Sequence, residues 1–446
     1  MAKSKSRLKR LAVLGGLTSK VSSSYLGQRI KGVFQSDEEQ AESLERLHIE
    51  NATRVADTMS QIKGAAMKVG QSLALLADAM DLSPELGQIF SKLHDQAQPI
   101  PFDEIVQVIE RELGGIEAHF ASIDPEPLGT ASLAQAHAAR LKDGTPVVVK
   151  VLHEGVEHSV DTDLGALKSI LLAGKFFKRP KEEIDMIFDE IRERLLEELD
   201  YERERQNIEE FSVFFESIEG VVVPKVVPDL CTKRILTMSR ITGSNLDLFL
   251  QHARPEAKHR AGEVLTTIFH EMVYVHRSLH ADPHGGNFLF QRDGSVGLID
   301  FGCVKRFSLD FVAQYAQLGN HLVDNERAEM LREAYQLNML LEKNTEAEEV
   351  LWEFSNILAR PFRAGEYTAG AANDSLMDDV RGFGSKILKY PEIRSPRELI
   401  FLHRALTGIY SMLRRLQYCC DYDKVRRHYA NRCIAEWQED QNARRG

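Results

Sequence analysis

Apolar residues recur at helical spacing through the early part of the chain. Over residues 37–98 they include Leu44 and Leu47, three positions apart, and this stretch carries little strand signal. A spacing of three to four residues is typical of an amphipathic helix. Pro99 and Pro101 interrupt the pattern. We therefore predict a helical segment with a boundary at these prolines.

The pattern changes to strands after Pro127. Two runs, residues 131–140 and 145–152, flank the turn residues Lys142-Asp143-Gly144, and the second run contains the β-branched sequence Val147-Val148-Val149. Turn residues between two such runs predict a β-hairpin.

Helical spacing returns around Asp163 and over residues 182–215, and it dominates from Leu246 onward. Residues 364–375 are small and polar, which predicts a mobile loop. Further short strands are predicted at residues 221–227, 235–238, 287–291 and 295–299, the last two joined by Asp293-Gly294.

This order of elements predicts an α+β chain in which a small β-rich lobe precedes a larger helical lobe. A chain of 446 residues is long enough for two to three such units. We divide it into residues 1–36, a basic N-terminal segment; 37–115, a helical extension; 116–243, the β-rich lobe with a helical insert; and 244–446, the helical lobe.

Composition narrows the class of protein. Hydrophobic residues make up 43% and charged residues 28% of the chain, and the net charge of −11 gives no overall support to a nucleic-acid partner or to an anionic membrane. No stretch approaches the roughly 20 apolar residues of a membrane-spanning helix, so we expect a soluble or peripheral protein. The five cysteines are odd in number and lack metal-binding spacing, which favours free thiols in a reducing compartment.

The N-terminal segment differs from this average, because residues 1–35 carry basic residues and no acidic ones. Three interpretations fit: a transit peptide, a disordered basic tail, or a helix that lies on a membrane surface. The last rests on an apolar stripe formed by Leu8, Leu11, Leu14, Leu17 and Val21.

Two motifs in the second half of the chain carry the chemistry of phosphoryl transfer. Asn287 follows Asp282 by five residues, and Asp300-Phe301-Gly302 comes after the predicted hairpin. Kinases use the first Asp to orient the acceptor, and the Asn and second Asp to hold metal. Each motif alone also fits an ordinary turn. Their spacing together predicts a nucleotide–metal site.

Lys150 lies at the end of the valine-rich strand, where kinases keep the lysine that binds the α- and β-phosphates. A strand lysine is usually a solvated edge residue. Here the adjacent valines indicate burial, and a buried lysine requires a partner. The acid-rich stretch Glu197-Glu198-Leu199-Asp200 offers Glu198, although the same stretch fits a solvated helix face.

A glycine-poor loop precedes this strand. Gly129-Thr130-Ala131-Ser132 begins a segment that has alanines where a phosphate-covering loop normally has glycines. An alanine-rich hairpin is the alternative interpretation.

Four sequence signatures together resemble the ABC1 family of atypical kinases, also called AarF/UbiB, which includes the mitochondrial coenzyme Q accessory kinases. The signatures are Lys68-Val69-Gly70-Gln71 for K-x-G-Q, Ala131 to His137 for the alanine-rich loop, Glu198-Leu199-Asp200 for E-x-D, and Asp282 to Asn287 with Asp300-Phe301-Gly302 for the catalytic loops.

The resemblance implies a protein-kinase-like bilobal fold that binds ATP and Mg²⁺, with a role in ubiquinone (coenzyme Q) biosynthesis. It implies that Glu198 pairs with Lys150 and that Lys68 and Gln71 lie over the phosphates and block protein acceptors. The catalytic set would be Asp282, Lys150 and Glu198. The nucleotide-binding set would be Gly129, Thr130, Ala131, Ser132, Lys150, Lys68 and Gln71, and the metal-binding set Asn287 and Asp300.

Departures from the family pattern adjust these expectations. Gly129-Thr130 replaces the usual alanine pair, and Gly285 stands where proline is common. The C-terminal membrane-spanning pair of some bacterial members is absent. We expect a bacterial cytoplasmic protein at the inner membrane, with the mitochondrial matrix less favoured.

The expected partners are ATP, a quinone-like lipid or anionic membrane surface, and other quinone-biosynthesis proteins. The alternatives are a conventional protein or small-molecule kinase, a nucleotide-gated lipid-binding scaffold, and a pseudokinase. The sequence specifies neither the phosphoryl acceptor nor the oligomeric state.

Overall fold

The computed structural model describes residues 2–32, 37–62, 99–130, 133–173, 181–387 and 389–445. Their contacts divide the chain into two compact units. The first unit is Met1–Arg205 with Val226–Arg240, and the second is Gln206–Lys225 with Ile241–Gly446.

The described strands are β1 (Phe120–Thr130), β2 (Ala134–Leu141), β3 (Pro146–Leu152), β4 (Val221–Val222), β5 (Ile235–Ser239), β6 (Ser278–His280), β7 (Phe288–Phe290), β8 (Val296–Leu298), β9 (Val304–Arg306), β10 (Glu366–Thr368) and β11 (Cys419–Asp421). The described helices of the first half are α1 (Ala2–Gly32), α2 (Asp37–Ile62), α3 (Phe102–Leu113), α4 (Ile116–His119), α5 (Val156–Ala173), α6 (Lys181–Glu198) and α7 (Tyr201–Phe214). Those of the second half are α8 (Leu246–His252), α9 (Pro255–His270), a π-helix (Glu271–Val275), α10 (Leu309–Val323), α11 (Arg327–Gln336), α12 (Thr345–Arg363), α13 (Leu376–Ile387), α14 (Arg397–Leu416) and α15 (Tyr422–Arg445).

The first unit is built around a four-stranded antiparallel sheet in the order β1-β2-β3-β5. On β3, Val147, Val149 and Val151 are fully buried and pack with Ile105 and Ile109 of α3. Residues alternate between the two faces of a strand, so Lys150 lies on the opposite face. The predicted hairpin of β2 and β3 is confirmed, with Gly144 in the left-handed region at φ 86°.

Helix α1 belongs to the interior of this unit for part of its length. Leu17 and Val21 are buried, and α1 contacts α2 and α5. Ser24 bonds with Asn51 of α2, and the Tyr25 hydroxyl lies 2.7 Å from His48 Nδ1. Two residues of the stripe predicted to face a membrane are therefore used in helix packing, which corrects that part of the surface-helix interpretation.

The second unit is mainly helical, with short strands that support its loops. Strand β8 pairs with β4 in parallel and with β7 antiparallel, which confirms the predicted hairpin at Asp293-Gly294. Strands β6 and β9 pair antiparallel, and they lead into and out of the two motifs that the sequence singled out.

Residues 364–375, which the sequence predicted to be a mobile loop, form strand pairing and hydrogen bonds within the second unit. It contains β10, which pairs with β11, and Asp374, whose side chain accepts hydrogen bonds from the Tyr367 and Tyr410 hydroxyls and from the Gly370 and Leu376 N–H groups. Residues 366–368 form a strand, so the prediction of a loop is wrong for that part of the segment.

Candidate functional site

Lys150 lies in the middle of the first unit's sheet. In register, Ala136 of β2 is its neighbour on one side and Leu236 of β5 on the other. Its Nζ donates to Glu204 Oε1 at 2.5 Å, and the two side chains are only 13% and 3% exposed. The ammonium also lies 5.7 Å from the centre of the buried Tyr201 ring, a cation–π distance. Lys150 is thus a buried cation held by a carboxylate and an aromatic face.

The carboxylate partner of Lys150 is Glu204, which corrects the assignment of this role to Glu198. Glu198 is the last residue of α6, whereas Glu204 lies one turn into α7. A catalytic role for Glu198 stays a prediction.

A signal for Glu204 was present in the sequence. Tyr201, Ile208, Phe211 and Phe215 are buried at helical spacing, and Glu204 is the acid in that apolar stripe. A carboxylate on the buried face of a helix requires a partner.

The loop that precedes β2 lies beside Lys150 on the sheet. Gly129 pairs with Ala136, which in turn pairs with Lys150, so the three residues stand at one level of adjacent strands. Thr130 pairs with Gln135. Ala131 and Ser132 lie outside the described residues, as do Lys68 and Gln71. The described end of the loop is therefore where a kinase phosphate loop is expected to be.

In the second unit, hydrogen bonds shape the loop from Asp282 to Asn287. Asn287 Nδ2 donates to the Asp282 carbonyl at 3.1 Å and to its Oδ2 at 3.0 Å. His284 Nδ1 accepts from the Gly286 N–H, which caps the 3₁₀ turn Gly285–Asn287. The two residues predicted to act on acceptor and metal are thus brought together directly.

Helix α14 contacts this loop through two residues that sequence reasoning missed. Arg404 Nη2 donates to Asp282 Oδ1 at 2.9 Å. One turn later, Gly408 lies so close to Pro283 that a β-carbon would be 2.3 Å from Pro283 Cβ. Neither residue belongs to a recognisable sequence motif. Both lie on a helix more than a hundred residues after the loop that they contact, so no local pattern links them to it.

Asp300 occupies a turn that is fixed from several sides. Its Oδ1 accepts the Gly302 N–H at 3.0 Å, and its backbone carbonyl accepts from His280 Nε2. Phe301 is fully buried, with its ring centre 5.6 Å from that of His280 and 5.2 Å from that of Phe211. The packing of Phe301 therefore anchors the turn that presents the Asp300 carboxylate.

The donor set of this unit fits Mg²⁺. Both bonds of the Asn287 amide use its nitrogen, so its oxygen is the atom that can bind a cation. Asp300 adds a carboxylate. Mg²⁺ prefers such oxygen ligands and commonly uses one or two carboxylates together with substrate phosphates and water. No cluster of three His, Cys, Asp or Glu residues with metal-binding geometry occurs in the described part of the chain, and a site of this kind does not require one.

Comparison with known proteins identifies a family. A family model described as the ABC1 atypical kinase-like domain matches residues 92–334. The mitochondrial atypical kinase COQ8 of Saccharomyces cerevisiae is 28% identical over 419 residues, covering 92% of this chain and 82% of that protein. The mitochondrial atypical kinase COQ8B of Rattus norvegicus is 29% identical over 443 residues, covering 96% and 82%.

A solved Mycobacterium tuberculosis protein, determined as a complex with erythromycin, has a similar fold. The TM-score is 0.58 at 22% identity, and the match covers 88% of this chain and 97% of that one. The family match and this likeness confirm the predicted protein-kinase-like α+β fold.

Proposed function

The chain belongs to the ABC1 atypical kinase-like family, and from that premise we propose that it binds Mg²⁺·ATP and acts as an ATPase or phosphotransferase. The observation that carries the proposal is the ion pair of Lys150 with Glu204. A buried ion pair adds little net stability, since desolvation offsets the attraction. We infer that this positioned charge serves phosphate binding, because a lysine on this strand is the phosphate-binding group of kinases.

We assign each residue of the site a role that follows from its chemistry. Lys150 would neutralise charge on the phosphates, with Glu204 holding its ammonium in place. Asn287 and Asp300 would hold Mg²⁺, which supplies charge neutralisation at the transferred phosphoryl group. Asp282 would orient the hydroxyl that receives the phosphoryl group. Arg404 and Asn287 each bond one of its carboxylate oxygens, which restricts the rotation of that carboxylate.

We propose that the acceptor is water or a hydroxyl of a quinone-like lipid, and that the protein supports ubiquinone biosynthesis or related lipid metabolism at a membrane surface. The mitochondrial COQ8 relatives and the acid-free N-terminal segment support this. Among the helices that the structure describes, none combines the length and apolar character needed to cross a bilayer. We place the protein in the cytoplasm, peripheral to the inner membrane.

The experiment measures Mg²⁺-dependent ATP turnover of the full chain, with and without anionic liposomes. Asp300→Asn should lower turnover by several orders of magnitude, because catalysis of phosphoryl transfer is mostly positioning and electrostatics. Asp378→Asn makes the same chemical change at a side chain that is 75% exposed, and it should turn over normally. Parent-like turnover in Asp300→Asn would refute the site assignment.

The same assay with Lys3, Lys5, Arg7, Lys9 and Arg10 changed to glutamine tests the membrane proposal, and it keeps the buried Leu17 and Val21 of α1 in place. Loss of the liposome response, with basal turnover unchanged, would assign that response to the N-terminal segment. A response that is the same with and without these positive charges would refute the role of the segment as the membrane contact.

A further inference from the structure

Helix α7 carries a buried amide beside the Asp-Phe-Gly turn. Asn207 is 1% exposed, and its Nδ2 donates to the Phe301 carbonyl at 2.8 Å. Phe301 follows Asp300 directly. Asn207 therefore holds the backbone of the turn that carries the metal-binding carboxylate, although it lies more than ninety residues earlier in the chain.

The amide of Asn207 is locked in one orientation. Its oxygen accepts from Arg306 Nη2 at 3.0 Å, and the same guanidinium nitrogen contacts the Glu210 carboxylate one turn further along α7. A guanidinium is a donor only, so it can face the amide oxygen but not the amide nitrogen. Arg306 thus ensures that the nitrogen of Asn207 points to the Phe301 carbonyl.

Two consecutive carbonyls of the turn are held by side chains. His280 holds the carbonyl of Asp300, and Asn207 holds that of Phe301. A third bond, from the Gly302 N–H to Asp300 Oδ1, fixes the carboxylate to the same turn. Loss of the bond from Asn207 would remove a buried hydrogen bond to the Phe301 carbonyl and weaken the hold on the peptide planes around Asp300.

We propose that Asn207 is a positioning residue for metal binding: it fixes the Asp-Phe-Gly turn so that Asp300 faces Mg²⁺, and Arg306 orients it for this task. The inference rests on the proposed function. Groups one step removed from a metal ligand commonly change metal affinity by about 10- to 100-fold when they are lost. Asn207 also lies three residues after Glu204, so one helix carries the partner of Lys150 and the support of Asp300.

Asn207→Asp is the decisive variant. It keeps the shape of the side chain and the oxygen that accepts from Arg306, but it removes the N–H group that donates to the Phe301 carbonyl. Gln206→Glu is the matched control, since it makes the same amide-to-carboxylate change at an exposed neighbour. Arg306→Gln is the second variant, in case Asn207→Asp does not fold. It leaves Asn207 unchanged and removes the guanidinium that orients its amide and that also pairs with Glu210.

The readout is binding rather than turnover. Mn²⁺ affinity is measured by electron paramagnetic resonance in the presence of a non-hydrolysable ATP analogue, alongside urea unfolding. We expect Asn207→Asp to weaken Mn²⁺ binding about 10- to 100-fold and Arg306→Gln to weaken it several-fold, with Gln206→Glu at the parent value. Metal-free affinity for the analogue should be unchanged.

Parent-like Mn²⁺ affinity in both Asn207→Asp and Arg306→Gln, with lower stability, would reduce Asn207 to a structural residue and overturn the inference. Asp300→Asn in the same titration separates this from failure of the proposed function. If Asp300→Asn binds Mn²⁺ like the parent, the metal site itself is wrong and the inference falls with it. If Asp300→Asn loses binding and the Asn207 and Arg306 variants do not, only the inference falls.

Discussion

The ion pair of Lys150 with Glu204 allows a quantitative test by Glu204→Gln, which replaces a carboxylate with an amide of the same shape. The two charged atoms are 2.5 Å apart and both side chains are largely buried. Removing one member of a buried pair costs about 3–5 kcal/mol, since the other charge stays buried. Glutamine still accepts a hydrogen bond from Lys150 Nζ, so we expect a loss of about 2–3 kcal/mol in unfolding free energy.

We expect kcat to fall by more than the loss of folded protein alone would explain. Without its carboxylate, the Lys150 ammonium moves within its site, and a displacement of about 1 Å at a reacting group can reduce a rate about 100-fold. We therefore expect kcat of Glu204→Gln to fall by about two orders of magnitude at temperatures where the variant is fully folded.

The assay is a double-mutant cycle in urea unfolding, with Lys150→Met as the second substitution and kcat measured for the same proteins. Glu202→Gln is the control, an exposed carboxylate at the start of the same helix. Glu198→Gln tests the residue that the sequence favoured. A coupling energy near zero between positions 150 and 204, or coupling to position 198 instead, would refute the assignment.

Three further predictions concern stability and the catalytic loop. Burial lowers the pKa of His270 from 6.5 to about 4. As the pH falls, the unfolded state therefore binds a proton at a higher pH than the folded state does, and the free energy of unfolding should fall by up to about 3 kcal/mol between pH 6.5 and 4. In urea unfolding, His270→Phe should flatten this dependence on pH. For Asp374, burial opposes ionisation, but the hydrogen bonds that it accepts lower its pKa below the ordinary 3.8. Asp374→Asn should therefore cost about 2–3 kcal/mol at pH 7, a difference that shrinks as the pH falls through the folded-state pKa, and an unchanged difference at pH 3 would contradict this. Gly408→Ala should displace Pro283 and lower kcat by about ten- to a hundredfold while the chain stays folded, and a parent-like kcat would show that the loop does not depend on this contact.

Local patterns were sufficient for the hairpins and for the motif residues. The β2–β3 hairpin follows from β-branched residues around Asp143-Gly144, and the β7–β8 hairpin from Asp293-Gly294, because turn geometry and strand preference act over a few neighbouring residues. The spacing of Asp282 and Asn287 likewise identified the two residues, and the structure adds that they are joined by a direct hydrogen bond.

Strand β1 was not predicted from the sequence. Residues 120–130 contain Pro125 and Pro127, which argue against a strand by local rules. They are accommodated because β1 stands at the edge of the sheet, paired on one side with β2 and irregular in register around Pro127. An edge position exists only once the sheet has formed, so no local pattern could reveal it.

By itself, the sequence determined the fold class and identified Lys150, Asp282, Asn287 and Asp300 as candidate site residues, because these follow from periodicity and from motif spacing within short segments. Only the tertiary structure decided that Lys150 pairs with Glu204, that Arg404 reaches Asp282, and that Asn207 holds Phe301. Each of these contacts joins residues 54 to 122 positions apart. Their formation depends on how helices pack against a loop or sheet, and packing is a property of the folded chain rather than of any segment of it.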